Sequence, residues 1–245
     1  MTTSFSPQSL ATSLSVVMPA FNEERNLLTA VKITRETLDA EAIPYEIIIV
    51  DDGSRDETPM IAKTLVQTQT QITFLRHDKN QGIGAAFWTG VQKSSLDYVI
   101  LVPCDNPLMP DDMSAFRPQM GKTDIIAGAR KERTGYSPGL KFMSFVYNRI
   151  LIRMLFQIPL SDVNWIQMYR RRIFSEEGIT IEHPGIFFFA EVLVKAKRKG
   201  YSMVEVPVTM RKRIHGRPTI SRLPVIARIF RDMVRFFFKT LFSRS

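Results

Sequence analysis

Glu46–Thr58 reads EIIIVDDGSRDET. Ile47–Val50 is an unbroken apolar, β-branched run, the pattern of a strand buried on both faces. Asp51-Asp52-Gly53-Ser54 stops it, and Asp56–Gln67 reads as the helix that follows. Two adjacent carboxylates at the end of a buried strand are costly unless donors or cations meet them. The arrangement suits a nucleoside, with one carboxylate toward the base and the other toward ribose or a metal. It also suits an N-cap cluster, with Ser54 or Asp56 closing the helix start.

The same alternation extends in both directions. Leu14–Met18 is a short apolar strand ending at Pro19, and Glu23–Ala40 a helix with Asn22 at its N-cap. Strands are expected at Ile72–Arg76, Tyr98–Val102 and Asp124–Ala127, with a helix at Gly84–Ser94 opened by NQGIG. Strands separated by helices imply an α/β fold whose sheet is mostly parallel, with right-handed crossovers. Ligands of such sheets bind beyond the carboxyl ends of the strands. The second half reads as a helix at Leu140–Gln157, a strand at Trp165–Tyr169, a helix at Phe189–Lys199, a strand at Met203–Val208 and a helix at Val225–Phe242. Three parts are expected: a flexible lead-in at 1–12, a globular domain at 13–210, and a basic loop with an amphipathic helix at 211–245.

Composition narrows the class. The 245 residues are 44% hydrophobic and 23% charged, which excludes a fibrous or low-complexity chain. Residues 1–210 hold 23 Lys/Arg and 23 Asp/Glu, whereas 211–245 hold ten Lys/Arg and only Asp232. The whole formal charge of +9 therefore falls in the last 35 residues. Nucleic acid or an anionic membrane would suit such an end. The Phe density of Val225–Phe242 favours the membrane, because nucleic-acid arms are usually polar between their charges. The single cysteine, Cys104, allows no intrachain disulfide and points to a reducing compartment. No signal peptide and no transmembrane helix are expected.

Chemistry concentrates in four segments that follow strands. Phe21 and Glu23 lie at the mouth of the first, where a capped strand-to-helix connection explains them as well as a ligand does. Asp51 and Asp52 end the second. Asn80–Ala86 (NQGIGAA) either offers backbone N–H groups to phosphate or packs its glycines tightly. In VPCDNPL (Val102–Leu108), Asp105 is the one carboxylate and Asn106 adds a neutral oxygen; Cys104 reads as a small buried residue without catalytic role. A metal bridging a diphosphate needs few protein ligands, since phosphate and water supply the rest.

In this order and spacing the segments resemble family 2 glycosyltransferases of the GT-A fold, in the branch of dolichyl-phosphate mannose synthases and polyprenyl-phosphate sugar transferases. The resemblance covers about residues 13–220. Gly128-Ala129-Arg130 looks like the family's Gly-Ser-Arg, Phe189-Ala190-Glu191 and Glu205-Val206-Pro207-Val208 like its later stretch, and Arg213–Thr219 like its R-x-x-G-x-S loop. It implies a Rossmann-like, mostly parallel sheet flanked by helices. It implies that Pro19, Phe21, Glu23, Val50, Asp51, Asp52, Cys104 and Asp105 meet the nucleotide sugar. Asp105, Arg130 and Arg213 would be catalytic. Arg130, Lys141, Arg213 and Arg217 would hold the acceptor phosphate, and Asp105 with Asn106 a Mg2+ or Mn2+ ion.

Two departures stand out. Pro103 replaces the first carboxylate of the usual Asp-x-Asp, which puts the metal's composition in doubt. The usual D-x-x-S-G-F reads Asp162-Val163-Asn164-Trp165-Ile166-Gln167, so the sugar is not carried over. The implied function is inverting transfer of a sugar from a nucleotide-diphosphate sugar to a polyprenyl phosphate. The protein would sit peripherally on the cytoplasmic side of a membrane, with an anionic lipid surface, and a small membrane subunit or further copies, as partners, and no nucleic acid. Transfer to a sugar or glycolipid hydroxyl, and a degenerate sugar-nucleotide-binding module, are the alternatives.

Overall fold

The computed structural model describes residues 12–131, 138–176, 178–209 and 223–242. The expected lead-in up to residue 11, and the basic loop carrying Arg213 and Arg217, lie outside the described residues. The first half runs β1 (Leu14–Ala20), α1 (Leu27–Ala40), β2 (Tyr45–Asp51), α2 (Thr58–Thr68), β3 (Ile72–Arg76), α3 (Ile83–Lys93), β4 (Tyr98–Leu101) and α4 (Pro110–Phe116). Then come β5 (Ile125–Arg130), α5 (Pro138–Phe145), a π-helical segment (Val146–Ile152) and α6 (Arg153–Phe156). The chain continues through β6 (Gln167–Arg170), α7 (Arg172–Ser175), α8 (Phe188–Arg198), β7 (Met203–Val208) and α9 (Leu223–Phe242).

One seven-stranded sheet has the order β3-β2-β1-β4-β6-β5-β7. β6 is antiparallel to both neighbours and every other pairing is parallel. The alternation of side chains along a strand divides the core into two layers. Val17, Ile48 and Leu101 face α3 and α8, while Val16, Ile47 and Ile100 face α1, α2 and α4. Burial on both faces is why these strands read as continuous apolar runs. The ends of β1, β2, β4 and β5 therefore share one edge. Because β6 is reversed, Gln167 starts at that edge too, and Ala127 pairs with it. Val208, at the end of β7, pairs with Arg130 there.

The structure corrects several boundaries. α1 begins at Leu27, four residues later than expected, and Asn22 is not its N-cap. Asn22 takes a positive φ of 56° and accepts the Arg55 N–H at 2.9 Å instead. The sixth strand begins at Gln167, not Trp165. α4 was not expected; Pro110 opens it, and the Asp112 carboxylate accepts the Met109 N–H at 3.1 Å.

α9 is docked on the domain by one face. Met233, Phe236 and Thr240, at three- and four-residue steps, are buried. The Phe236 ring lies 5.6 to 5.8 Å from those of Phe187, His183 and Phe156. Lys239 Nζ reaches Glu182 at 2.6 Å, and Arg198 donates to the Thr240 carbonyl at 3.1 Å. Among the described residues no helix is long and apolar enough to cross a membrane.

Hydrogen bonds from Lys239, then Lys195, hold the Glu182 carboxyl down at about 2. A depressed carboxyl pKa stabilises above the unfolded value and ceases to do so as pH falls through the folded one. The tie to α9 is therefore complete above an ordinary glutamate value of about 4.3 and is lost as pH falls to about 2. The protection factors of the α9 amides, taken against the intrinsic exchange rate at each pH, are expected to fall across that window, and the fall to be blunted in Lys239→Met.

Candidate active site

The loops after β1 and β2 are laced together at the shared edge. The Asn22 N–H donates to Ser54 Oγ at 2.8 Å and the Glu23 N–H to Thr58 Oγ1 at 2.8 Å. Asp56 accepts the Thr58 N–H and hydroxyl at 3.1 and 2.6 Å, but the N-cap position of α2 is Glu57, so neither Asp56 nor Ser54 is the cap that the sequence suggested. Burial raises the Asp56 carboxyl but these hydrogen bonds outweigh it and lower it. The Glu23 carboxylate accepts from the Asn26 side chain at 2.6 Å. Phe21 is exposed beside it, Pro19 half-buried, and the Val50 side chain belongs to the core.

The adjacent carboxylates have different surroundings. Asp51 accepts the Ser54 N–H at 2.9 Å. Arg76 Nε stands 3.0 Å from its other oxygen but off the hydrogen-bond line, so the attraction there is that of an ion pair. Asp52 gathers three donors. Oδ1 accepts the Gln81 N–H at 2.8 Å and meets His77 Nδ1 at 2.8 Å; Oδ2 accepts the Gly82 N–H at 2.8 Å. An ionised Asp52 only accepts, so Nδ1 carries the proton, and in the neutral ring Nε2 accepts from Thr89 at 2.9 Å. His77 was not singled out in the sequence. Its place directly after β3, at the carboxyl edge, was the available signal.

These contacts decide the reading of NQGIGAA. The N–H groups of Gln81 and Gly82 go to Asp52, and that of Gly84 to the Pro184 carbonyl at 2.7 Å. Those three donors serve the fold rather than a phosphate. The glycines answer a close approach. A Cβ on Gly82, which has φ 104°, would stand 2.5 Å from the Pro184 oxygen, and one on Gly84 2.5 Å from the His183 oxygen.

Beyond β4, Cys104 is buried, with Sγ 3.5 Å from the Pro19 carbonyl. Burial pushes its thiol well above the usual range, and Glu23 and Asp105 add to the shift. It therefore stays a neutral thiol, in keeping with a packing role. Glu23 follows β1 and Asp105 follows β4, which are neighbours in the sheet. Asp105 and Asn106 are half-buried. Among the described residues no three His, Cys, Asp or Glu side chains gather as a metal cluster. The donor set thus fits an ion that arrives with ligands of its own, as on a diphosphate.

Arg130, at the end of β5, is paired with Asp162 through Nε at 2.6 Å and Nη2 at 2.8 Å. The two side chains are 4% and 2% exposed, and the guanidinium lies 4.7 Å from the centre of the Trp165 ring. Asp162 is itself carried by β7. Glu205 accepts from the Ser161 hydroxyl at 2.6 Å and from the Ser161 N–H. Asp162 and Glu205 were not recognised as functional from sequence, although both lie in segments compared with the family pattern. The structure therefore brings Phe21, Glu23, Asp51, Asp52, Asp105 and Arg130 to one edge. Lys141 is exposed on α5.

The family description Glycosyl transferase family 2 matches residues 15–178. The chain belongs to this family. It is 30% identical over 206 residues to the glycosyltransferase AglD of Haloferax volcanii, covering 80% of this chain and 32% of that protein. It is 26% identical over 229 residues to the dolichyl-phosphate beta-glucosyltransferase ALG5C of Trichomonas vaginalis, covering 84% of this chain and 65% of that protein. The chain thus spans about a third and just under two thirds of these relatives. Among solved structures, the glucosyl-3-phosphoglycerate synthase of Mycobacterium tuberculosis, in complex with Mn2+, UDP and phosphoglyceric acid, superposes with a TM-score of 0.67 at 17% identity. That match covers 91% of this chain and 76% of the other. The fold is the GT-A fold expected from the motifs.

Two stability measurements check the site's framework. Arg130→Met removes the guanidinium that holds the buried Asp162 carboxylate and is expected to cost about 3–5 kcal/mol in urea unfolding, whereas Arg130→Met with Asp162→Leu costs much less. Gly84→Ala forces the α3 entry off the 183–184 backbone and is expected to cost about 1–3 kcal/mol.

Proposed function

We propose that this protein is an inverting glycosyltransferase that moves a hexose from a nucleotide-diphosphate sugar to a polyprenyl phosphate. The observation that carries this reading is the state of Asp162. Between residues 140 and 170 it is the single carboxylate, and Arg130 holds it through two hydrogen bonds. A hydroxyl acceptor needs a general base to take its proton. A phosphomonoester does not, because its oxygens are anionic near neutral pH, with a second pKa of about 6. The name of the Trichomonas relative, a dolichyl-phosphate glucosyltransferase, supports the same choice.

In this reading Phe21, Glu23, Asp51 and Asp52 border the nucleoside, Asp51 and Asp52 chiefly by fixing the loops that surround it. Val50 and Cys104 line the floor. Asp105 and Asn106 hold a Mg2+ or Mn2+ ion carried on the diphosphate. That ion would supply charge neutralisation to the leaving group. Arg130 acts as a positioning group that fixes the Asp162–Trp165 segment beside the sugar, its charge offset by Asp162. Lys141, Arg213 and Arg217 supply cations to the acceptor phosphate and the departing diphosphate. An acceptor phosphate oxygen forms the new bond to the anomeric carbon as the bond to the diphosphate breaks on the opposite face. Configuration inverts, and no proton has to leave the nucleophile.

The test is transfer of labelled sugar, with UDP and GDP donors, to polyprenyl phosphates and to sugar or glycolipid hydroxyls. Polyprenyl phosphate is expected to be the preferred acceptor, with the anomeric configuration inverted. Asp105→Ala is expected to lower turnover by about 10²-fold or more, and chelation of divalent ions to weaken diphosphate binding in a thermal-shift assay. Preferred transfer to a hydroxyl, or a retained configuration, overturns the proposal. Nucleotide binding without turnover on any acceptor would mark a binding module instead.

A further inference from the structure

α9 carries three stripes along its length. Met233, Phe236 and Thr240 form the docked one. Phe230, Phe238 and Leu241 form a second, and Arg228, Arg231, Arg235 and Lys239 a third. At 3.6 residues per turn the stripes stand about a third of a turn apart. The apolar stripe is open. Phe230, Phe238, Leu241 and the neighbouring Phe242 are 48–73% exposed. Leu241 also lines a cavity of about 310 Å³ between α6, α8 and α9, walled by Leu155, Phe156 and Phe237 together with Lys197 and Arg198.

The domain's own core explains only the first stripe. A run of exposed Phe and Leu along three turns is the kind of patch that marks an interaction surface. The charges beside it say with what. Arg228, Arg231 and Arg235 flank the apolar stripe; Asp232, the helix's only acid, is buried and offsets Arg231 alone, at 3.2 Å. A second copy meeting this face by two-fold symmetry would bring one arginine row near another. An anionic surface would be attracted by the row while the rings left water.

We infer that the outer face of α9 is a membrane-docking surface specific for anionic phospholipid. The helix lies along the headgroup layer, with Phe230, Phe238, Leu241 and Phe242 entering the acyl boundary and Arg228 and Arg235 reaching the headgroups, while Arg231 is paired with Asp232 at 3.2 Å. Lys239 is committed to Glu182 at 2.6 Å and serves instead to hold the helix on the domain. Docking along one face of a helix fixed to the domain sets the orientation of the whole sheet relative to the bilayer. Vesicle binding is read without donor or acceptor, so this inference and the acceptor assignment fail separately.

The experiment is flotation of the full chain with phosphatidylcholine vesicles, with and without phosphatidylglycerol. The variants are Phe238→Ser with Phe242→Ser, and Arg228→Gln with Arg235→Gln; none of these side chains belongs to the docked stripe. Unchanged thermal melts confirm that α9 keeps its place. Wild type is expected to partition about tenfold or more into anionic over neutral vesicles, and to lose most of that preference in high salt. The arginine variant is expected to lose about tenfold on anionic vesicles, and the phenylalanine variant a similar amount. Binding that survives both variants, or equal binding to neutral vesicles, overturns the inference. So does a concentration-dependent dimer, seen by sedimentation, that the phenylalanine variant abolishes and vesicles do not compete.

Discussion

The carboxylate of Asp52 is the constraint on which the arrangement of the site depends. It sits buried at the end of β2 and turns two main-chain N–H groups, Gln81 and Gly82, toward itself while holding His77. Removing it would take the partner from all three of these part-buried hydrogen bonds at once. Its effect is also positional. The loop between β3 and α3 is drawn back against the end of β2, and α3 starts from there. Gly53 and Ser54 are then left to turn the chain toward α2, where Asn22 and Glu23 tie the β1 loop to it.

From that loop the order passes through the fold by close contacts. Gly82 and Gly84 meet the backbone of His183 and Pro184 with no room for a side chain. That backbone is held by Glu191, buried in α8, which accepts the N–H groups of Glu182 and His183, the His183 ring and Lys195. Burial raises the Glu191 carboxyl, but these partners outweigh it and lower it. Glu182 then binds Lys239 of α9. Two buried carboxylates, each collecting main-chain donors, thus join the nucleotide-side loops to the C-terminal helix. Between them lies only backbone packed on glycine, which transmits displacement because it has no side chain to adjust.

What the sequence disclosed follows from this division of labour. β1, β2 and β4 were legible because burial on both faces makes a strand a continuous apolar run. The edge of the sheet was legible because polar residues end those runs together. α4 was missed because its seven residues show only Met113 and Phe116 as a period and begin between prolines. Trp165 was read into a strand for its shape, whereas it lies over Arg130. The partners of Arg130 and Ser161 were invisible for a different reason. Asp162 is 32 residues from Arg130, and Glu205 is 44 from Ser161. Neither separation has a local signature, because the pairs arise from β5, β7 and the entry to β6 meeting at one edge.

The same accounting changes the meaning of the charge. Adjacent carboxylates at the end of β2 suggest a field offered to cations, yet Asp52 is spent on main-chain amides and His77, and Asp51 on Ser54 and Arg76. In the second half, Asp124 takes Arg172 and Ser202, and Asp162 takes Arg130. Charges consumed in buried pairs project little beyond their partners. The field at the site is therefore set by fewer groups than the composition implies. The arginine row of α9 differs in degree: its one acid, Asp232, is buried and takes Arg231, and Arg228 and Arg235 stand exposed on the same side of the helix. A protein with balanced charge over its first 210 residues can thus still present a strongly basic face. It is placed where an apolar stripe gives that attraction a second, short-range component.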